Sequence, residues 1–507
     1  MGTKRVIDQQ PTFAGGLNAV SDPSFLSPSQ ARQMQNMRLT VYGGASKRGG
    51  TQEVSVARPN STNPCVGGLW WPSQQYFLVF SGGNLYLSNG SAVPMTWTVV
   101  AASVGNTFPW GPSGVRVFTG VGAVETVYIA GGTNLQSYDT TATWHNAIAS
   151  TPLVNGLEVY NQRLYGWYFG NAVGNNSLYY SQSAGAIGSI GGDSLGVTAS
   201  GGGTIQVTTF GQSGIINCRV IGASLLIFHI KGISRLTGFG QSDISVLPQA
   251  VSADFSLVGP EAITVHAGIG YGVSLQGLFR INEGAIAPVN SPQTPDPLPA
   301  ALAAASSANT QATSVTYDTQ TNEVWVCING VGNYAYNTVL QAWSGPWVGP
   351  FANQSTAAFF TFPGEPLNNK APYLLFCDNA GWILKCDYSA SYTDYVTSGG
   401  VAGTPFTSVL QLHRMYGDDR SYSKSWRWAN VLATMTSGAT LPTCVQSSML
   451  GGAGTTTFGT LASVPQVYYQ PGSGSYGPFL DVTITDTGAA QSIYESAQVE
   501  GYLLGQR

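Results

Sequence analysis

Charge is what this 507-residue sequence has least of. Asp, Glu, Lys and Arg together supply 9% of it, against about 25% in an average soluble chain, and the formal net charge is −4. So few cations exclude a tight, salt-dependent grip on nucleic acid or on an anionic membrane; DNA meeting such a surface would slide. No run approaches 18 apolar residues, which excludes a bilayer-spanning helix. The opening "MGTKRVIDQQPTFAGG" has no apolar stretch of secretory length, so synthesis in a cytoplasm is expected. Histidine is scarce, with His145, His229, His266 and His413 far apart. The six cysteines (Cys65, Cys218, Cys327, Cys377, Cys386 and Cys444) form no C-x-x-C and sit at no ligand spacing from a histidine. They read as small buried strand residues, although Cys377 and Cys386 could face each other across one hairpin. With no H-E-x-x-H, P-loop or dinucleotide fingerprint, the sequence calls for no metal and no cofactor.

Glycine (64 residues) and aromatics (11%) are plentiful, and they fall into a weak repeat. A short strand of aromatic and β-branched residues, a turn, and a second strand recur as "YFLVFSGGNLYLSNG" from Tyr76, "TVYIAGGTNLQSYDT" from Thr126, "RLYGWYFGNAVGNNSLYYSQS" from Arg163 and "SLLIFHIKGISRLTGF" from Ser224. Three more follow from Ile269, Glu323 and Tyr373. Turns such as "SGGN", "DTQTN" and "DNAG" place Gly, Asn or Asp where the backbone must reverse. Seven hairpins spaced by roughly 50 residues predict an all-β chain built as a β-propeller of about seven blades, with six or eight as alternatives. The predicted propeller spans 65–395 and carries a Pro/Ala-rich insertion at 288–314, with a short helix after Pro299. From 396 to 507 the hairpin motif stops, and a β-sandwich-like C-terminal domain is expected.

Candidate catalytic residues weigh little. "GGDSLG" offers Ser194 as a nucleophile, but the late histidine, His413 in "LQLHRM", has no acid three residues before it, and the surrounding pattern is β rather than α/β. A glycine-rich loop is the better reading, and no enzyme is expected. His229, inside "LLIFHIKG", reads as a hydrogen-bonded core residue. Asp318 and Asn322 in "YDTQTNEV" read as a hairpin turn, since the other ligands of a calcium loop are missing. Arg414, Arg420, Lys424 and Arg427 alternate with Tyr416, Tyr422, Trp426 and Trp428. Such a mixture can stack on single strands, but Asp418 and Asp419 offset its charge and favour a solvated or subunit-contact hairpin.

The first 64 residues differ from the rest. Ser27, Pro28 and Gln30 make a helix start with a capping box, predicting a helix to about Met37. "RLTVYGGASKRGGTQEV" then predicts strand, Gly-Gly turn and strand, with Lys47 and Arg48 at its basic end. A helix and hairpin of this size bury little by themselves, so 1–64 is expected to dock on something.

At Gly15-Gly16-Leu17-Asn18, at the stretch ending on Asn36 and Arg38, and at Lys47-Arg48-Gly49-Gly50, the chain resembles the tail hub or nozzle proteins of short-tailed bacteriophages, also described as tail-stabilisation or tail tubular proteins. "YDTQTNEVWVCI", "NTVLQAWS" and the closing "VEGYLLGQR" resemble the same family. The resemblance implies a non-enzymatic virion protein forming a ring of six copies below the portal and its adaptor proteins. That ring would extend the DNA channel, touch double-stranded genome transiently and without sequence preference, retain it until ejection, and carry tail fibres or spikes. Subunit or partner contacts are expected at Leu17, Asn18, Asn36, Arg38, Lys47, Arg48, Arg420, Lys424 and Arg427. The alternative is a secreted or surface carbohydrate-binding propeller or adhesin, with Trp70, Trp71 and Trp167 stacking on sugar rings.

Overall fold

A computed structural model describes residues 4–55, 57–71, 74–89, 95–101, 113–119, 124–131, 134–141, 143–145, 148, 150–170, 175–183, 194–237, 249–283, 285–289, 295–362, 373–387, 392–394, 403–417, 420–435, 442–448, 454–457 and 466–503. Each of the seven hairpins read from the sequence forms the middle pair of a four-stranded antiparallel meander. Six of these meanders are separate sheets, and the sixth in chain order, Ser314–Asp318 to Ala342–Trp347, opens into a nine-stranded sheet. The first strands of successive meanders adjoin: Gly156–Tyr160 lies beside Ile215–Ile221, and Ile263–His266 beside Ser314–Asp318. The first strand of the last meander, Gln354–Phe362, returns to that of the first, Cys65–Trp71. That cyclic adjacency makes the chain a β-propeller with the first strands innermost.

The buried hairpin strands explain the repeat. Ser224–His229, Glu323–Ile328 and Gly332–Asn337 are buried at every position, as strands covered on both faces must be, and most of their residues are aliphatic, aromatic or small. Ring closure uses residues distant in sequence. The last blade takes its fourth strand from the N-terminal segment, Gly50–Glu53, which pairs with Ile383–Asp387. Cys65 of the first blade and Cys377 of the last have hydrogen-bonded thiols at this join. Cys377 lies opposite Ile383 and Cys386 opposite Thr51, so the suggested pairing of Cys377 with Cys386 across one hairpin is corrected. Cys65, Cys218, Cys327 and Cys377 are buried free thiols; the side chains of Cys386 and Cys444 lie outside the description.

The insertion forms two short helices, Leu298–Ala304 and Ser307–Gln311, the second capped by the Ser306 hydroxyl accepting from the Asn309 N–H. Leu298, Ala301 and Leu302 fix the first helix to the propeller core.

C-terminal strands form two sheets, as expected for a sandwich. One contains Gln466–Gly477, Lys424–Met435 and Ser492–Leu503; the other contains Ser408–Gln411, Leu480–Asp486, Thr443–Ser448 and Gly454–Thr457. Leu480–Asp486 alternates buried and half-buried residues, the pattern of a strand with one face on a core. Leu410, Val482 and Ile484 from one sheet meet Val431, Tyr494 and Val499 from the other. The same apolar cluster continues through Met34 and Trp343 into Val326 and Phe228 of the propeller.

The N-terminal helix is not formed. Part of its start signal is present, since the Ser27 N–H donates to Gln30 Oε1 at 3.0 Å, but the chain turns into strands Gln30–Ala31, Gln33–Gln35 and Met37–Leu39. Gln33–Gln35 lies between the sixth blade, where Met34 meets Gly345, and the C-terminal strand Ser408–Gln411. A ten-residue helix is marginal alone, whereas this strand gains partners on both edges and buries Met34 completely. The predicted turn around Gly43-Gly44 does form, joining Met37–Leu39 to Ala45–Lys47, and this hairpin adds to the sheet of Ser492–Leu503. Arg5–Gln10 pairs with that strand too. Residues 1–64 are therefore not a separate docking element: within about fifty residues the chain joins the outer sandwich, the sixth blade and the last blade.

Candidate functional site: a buried seam and an inner-rim cleft

Six of the residues expected to make partner contacts gather where propeller and sandwich meet, and their partners lie within the chain. Arg48 is 1% exposed. Its Nε donates to Asn36 Oδ1 at 3.1 Å, its Nη1 to Gly49 O at 2.9 Å and Asp394 Oδ1 at 2.8 Å, and its Nη2 to Val348 O at 3.1 Å and Asp394 Oδ2 at 2.5 Å. All five guanidinium N–H groups are thereby used, two of them in a bidentate carboxylate pair. The guanidinium carbon lies 3.9 Å from the Phe406 ring centre and 4.9 Å from that of Phe351, so aromatic rings occupy space that water would otherwise fill.

Asn36 is the hub of the seam. Its φ of 54° is a left-handed conformation that Asn tolerates better than most residues. Its Oδ1 also accepts from the Val348 N–H at 2.8 Å, and its Nδ2 donates to Thr407 O at 2.7 Å. One side chain thus ties the sixth blade, the approach to the sandwich and Arg48. Lys47, 1% exposed, donates to Gly488 O and lies 3.6 Å from Asp486. Desolvation lowers its pKa, and Asp486 opposes the shift. Arg38 reaches Glu323 Oε2 at 3.3 Å, where Thr321 and Trp325 also donate; burial raises the Glu323 pKa against the pull of Arg38.

Leu17 and Asn18 are both 2% exposed. Asn18 donates to Gln30 Oε1 at 3.1 Å and accepts from the Ser21 N–H at 3.0 Å. Gly16 before them has φ +64°, and a Cβ there would stand 2.4 Å from Trp343 O, so only glycine brings this backbone onto the sixth blade. The expectation of partner contacts is corrected for Leu17, Asn18, Asn36, Lys47 and Arg48, which are buried within the chain, while Arg38 is half-buried. Their acidic partners Asp394, Asp486 and Glu323 escaped the sequence reading; the available signal was that a buried Lys-Arg pair in a charge-poor chain demands distant carboxylates.

The second basic cluster lies elsewhere. Arg420 is exposed, 4.7 Å over the Tyr416 ring. Lys424 is fully buried and donates to Tyr422 O at 2.9 Å, while Arg414 forms a bidentate pair with Asp481 at 2.9 Å for each bond. The Arg427 side chain, and Asp418 and Asp419, are outside the description. Nearby, Asp8 of the N-terminal strand accepts from the Tyr416 and Gly417 N–H groups at 2.7 and 2.9 Å and lies 3.6 Å from His413. Burial alone would raise the Asp8 pKa, but these donors outweigh it and hold the carboxyl below its ordinary value. A depressed carboxyl pKa contributes stability above the unfolded value of 3.8, and that stability is lost as pH falls through the folded value. As pH falls below 3.8 and through the folded value, amide exchange in Arg5–Gln10 should therefore speed up. Asp8→Asn should flatten that slope; an unchanged slope would remove Asp8 as the anchor.

Ser194 and His413 are not brought together. The Ser194 hydroxyl accepts from the Gln182 N–H at 2.7 Å, while the His413 ring faces Gln10 at 3.0 Å and Asp8. His229 is fully buried against Ser234 at 2.7 Å, and burial pushes its pKa down to about 4. Asp318 closes its turn by accepting from Gln320 and Thr321. Among the described residues, no group of three or more His, Cys, Asp or Glu side chains is arranged to hold a metal, and no helix is long and apolar enough to cross a membrane.

A small, partly open cleft lies at the inner rim between the third, fourth and fifth blades. It is lined by Asn155, Trp167 and Phe169 of the third, Asn217 and Arg219 of the fourth, and Glu261 before the fifth. Trp70, Trp71 and Trp167, expected to stack on sugars, are 6%, 1% and 3% exposed, which corrects their reading as exposed platforms.

No family model matches the chain, and no curated protein matches it significantly. Among solved structures it is similar to the extracellular domains of two hybrid two-component systems from B. thetaiotaomicron. The first has 10% identity and a TM-score of 0.44, covering 84% of this chain and 48% of that one. The second has 9% identity and a TM-score of 0.43, covering 93% and 62%. A catalytically inactive virginiamycin B lyase from Staphylococcus aureus with quinupristin has 11% identity and a TM-score of 0.40, covering 66% and 98%. The chain thus spans about half of the first of these proteins.

Proposed function

We propose that this chain is a non-enzymatic building block of a phage tail hub or nozzle, assembling as a ring of copies around the DNA path. The observation that carries this reading is where the resembling residues fall. Gly16, Leu17, Asn18, Asn36, Arg38, Lys47 and Arg48 all serve the seam that makes propeller and sandwich one body, and a conduit wall under load needs such stiffness. A nearly neutral surface suits a channel through which DNA must move. Virion localisation, six copies, portal-adaptor contacts and fibre attachment belong to the same proposal. Electron microscopy of the purified protein and of its parent particle tests it. Rings at the distal end of a short tail are expected; a stable monomer absent from particles would refute it.

A second reading is a surface or secreted propeller that binds a ligand. The inner-rim cleft favours it, since propeller ligands fit where first strands converge. The buried tryptophans weaken its carbohydrate version. A monomer that retains a glycan on an array, with no particle association, would establish it over the tail reading.

A further inference from the structure

Two thiols meet where the ring closes. Cys65 opens the first strand of the first blade, Cys65–Trp71, and Cys377 lies in Tyr373–Asp378 of the last blade, which adjoins it. Both are 0% exposed, and they share one apolar cluster with Val54, Phe77, Leu375 and Ile383. The Cys65 thiol donates to Gly381 O at 3.6 Å. Gly381 is itself fixed, because its N–H donates to Asp378 O at 3.0 Å and a Cβ on it would stand 2.5 Å from Asn63 O. The Cys65 sulfur therefore sits on the turn that starts one residue after Cys377, and the two thiols are hydrogen-bonded. Two further buried thiols are placed differently: Cys218 packs between the third and fourth blades, and Cys327 in the sixth donates to Phe351 O at 3.1 Å. Burial, and after it the bond to Cys65, raises the Cys377 pKa well above its ordinary value. The closed join thus keeps a thiol where reaction needs a thiolate, and oxidation waits for a local opening.

We propose that Cys65 and Cys377 form a disulfide site, which a small two-electron oxidant converts into a covalent fastening between the first and last blades. With diamide, a diazenedicarboxamide, one thiolate attacks a nitrogen of the N=N bond and gives a sulfenyl hydrazine. The other thiolate attacks that sulfur, forms the S–S bond and expels the hydrazine. Two electrons pass from the sulfurs to the N=N bond, and the two thiol protons end on its nitrogens. At present the last blade is completed through backbone hydrogen bonds of Gly50–Glu53. A bridge from Cys65 to Cys377 would close a loop running through the whole propeller, and a loop of that length takes more entropy from the unfolded chain than a short one. The site stands whether the propeller is a tail wall or a surface binder, because both require a closed ring of blades.

Diamide treatment of the native full chain tests it, followed by alkylation, digestion without reductant and peptide mapping by mass spectrometry. A Cys65–Cys377 peptide pair, two hydrogens lighter than its separate halves, is expected. The oxidised protein should melt about 5 °C higher than the reduced one, and dithiothreitol should restore the lower value. Cys65→Ala should lose both the peptide pair and the shift. Absence of the pair from native protein, a bridge from either residue to Cys386 or Cys444 in its place, or a pair that leaves the melting temperature unmoved would overturn the proposal. Should Cys65→Ala fail to fold, the peptide map and the reversal by dithiothreitol on the unaltered chain decide alone. Assembly of copies into rings is a separate measurement, so failure here leaves the tail reading untouched.

Discussion

Arg48→Met should lower the unfolding free energy by about 3–5 kcal/mol, among the largest losses any single side chain of this protein can cause. The reason is what stays behind. Asp394 keeps a buried carboxylate whose two oxygens had accepted from Nη1 and Nη2, and the carbonyls of Gly49 and Val348 lose their donors as well. Arg48→Lys should recover little, because an ammonium has three donors and no fork to match the carboxylate. Combining Arg48→Met with Asp394→Leu should cost much less than the sum of the singles, since no charge is then stranded. Urea unfolding of the wild type, the two Arg48 variants, Asp394→Leu and the double variant, with limited proteolysis near Gly49, measures this. A wild-type midpoint for Arg48→Met, or strict additivity in the double variant, would show that the pair is incidental to the seam.

Removing residues 1–53 should abolish the folded chain rather than release a soluble propeller. The truncation strips the fourth strand from the last blade, the strand between Ala342–Trp347 and Ser408–Gln411, and the hairpin and edge strand of the outer sheet. The last blade would be left with an open edge that invites pairing with other chains. Removing residues 1–12 alone takes away only the edge strand Arg5–Gln10 and should leave ring closure intact. Gel filtration and far-ultraviolet circular dichroism separate the outcomes. A monodisperse truncated chain with cooperative unfolding would restore the picture of a detachable docking arm.

How much was legible follows from the range of each interaction. The hairpins could be read because their information is local: "SGGN" between Tyr76–Ser81 and Asn84–Ser88, or Asp318 closing the turn before Glu323, lies within a few residues. The short helix expected after Pro299 was legible for the same reason, through proline and alanine propensity, although it starts at Leu298 and a second helix, Ser307–Gln311, follows it. The seam was not. Arg48 and Asp394 are separated by 346 residues, Asn36 and Thr407 by 371, and Met37 and Trp347 by 310. Ser27, Pro28 and Gln30 carried a true local capping signal, yet a strand with partners on both edges overrode it. Asn36, Lys47 and Arg48 were expected at partner contacts and bond within the chain instead, because motif spacing does not distinguish inward use from outward use. The cleft was invisible because its lining, Trp167, Asn217 and Glu261 among it, comes together only when three blades are assembled.

The distance between Arg48 and Asp394 also sets a clock. At a translation rate of about 5–20 residues per second, 346 residues take roughly 20–70 s to make. Throughout that interval the strand Gly50–Glu53 has left the ribosome with no partner, and the guanidinium that will be sealed between Phe351 and Phe406 stays in water. Blades one to six can form in order as they emerge, while the first segment made is among the last to find its place. Birth order and assembly order are therefore opposed in this chain. Slowing elongation lengthens the exposure of its N-terminus instead of easing its folding.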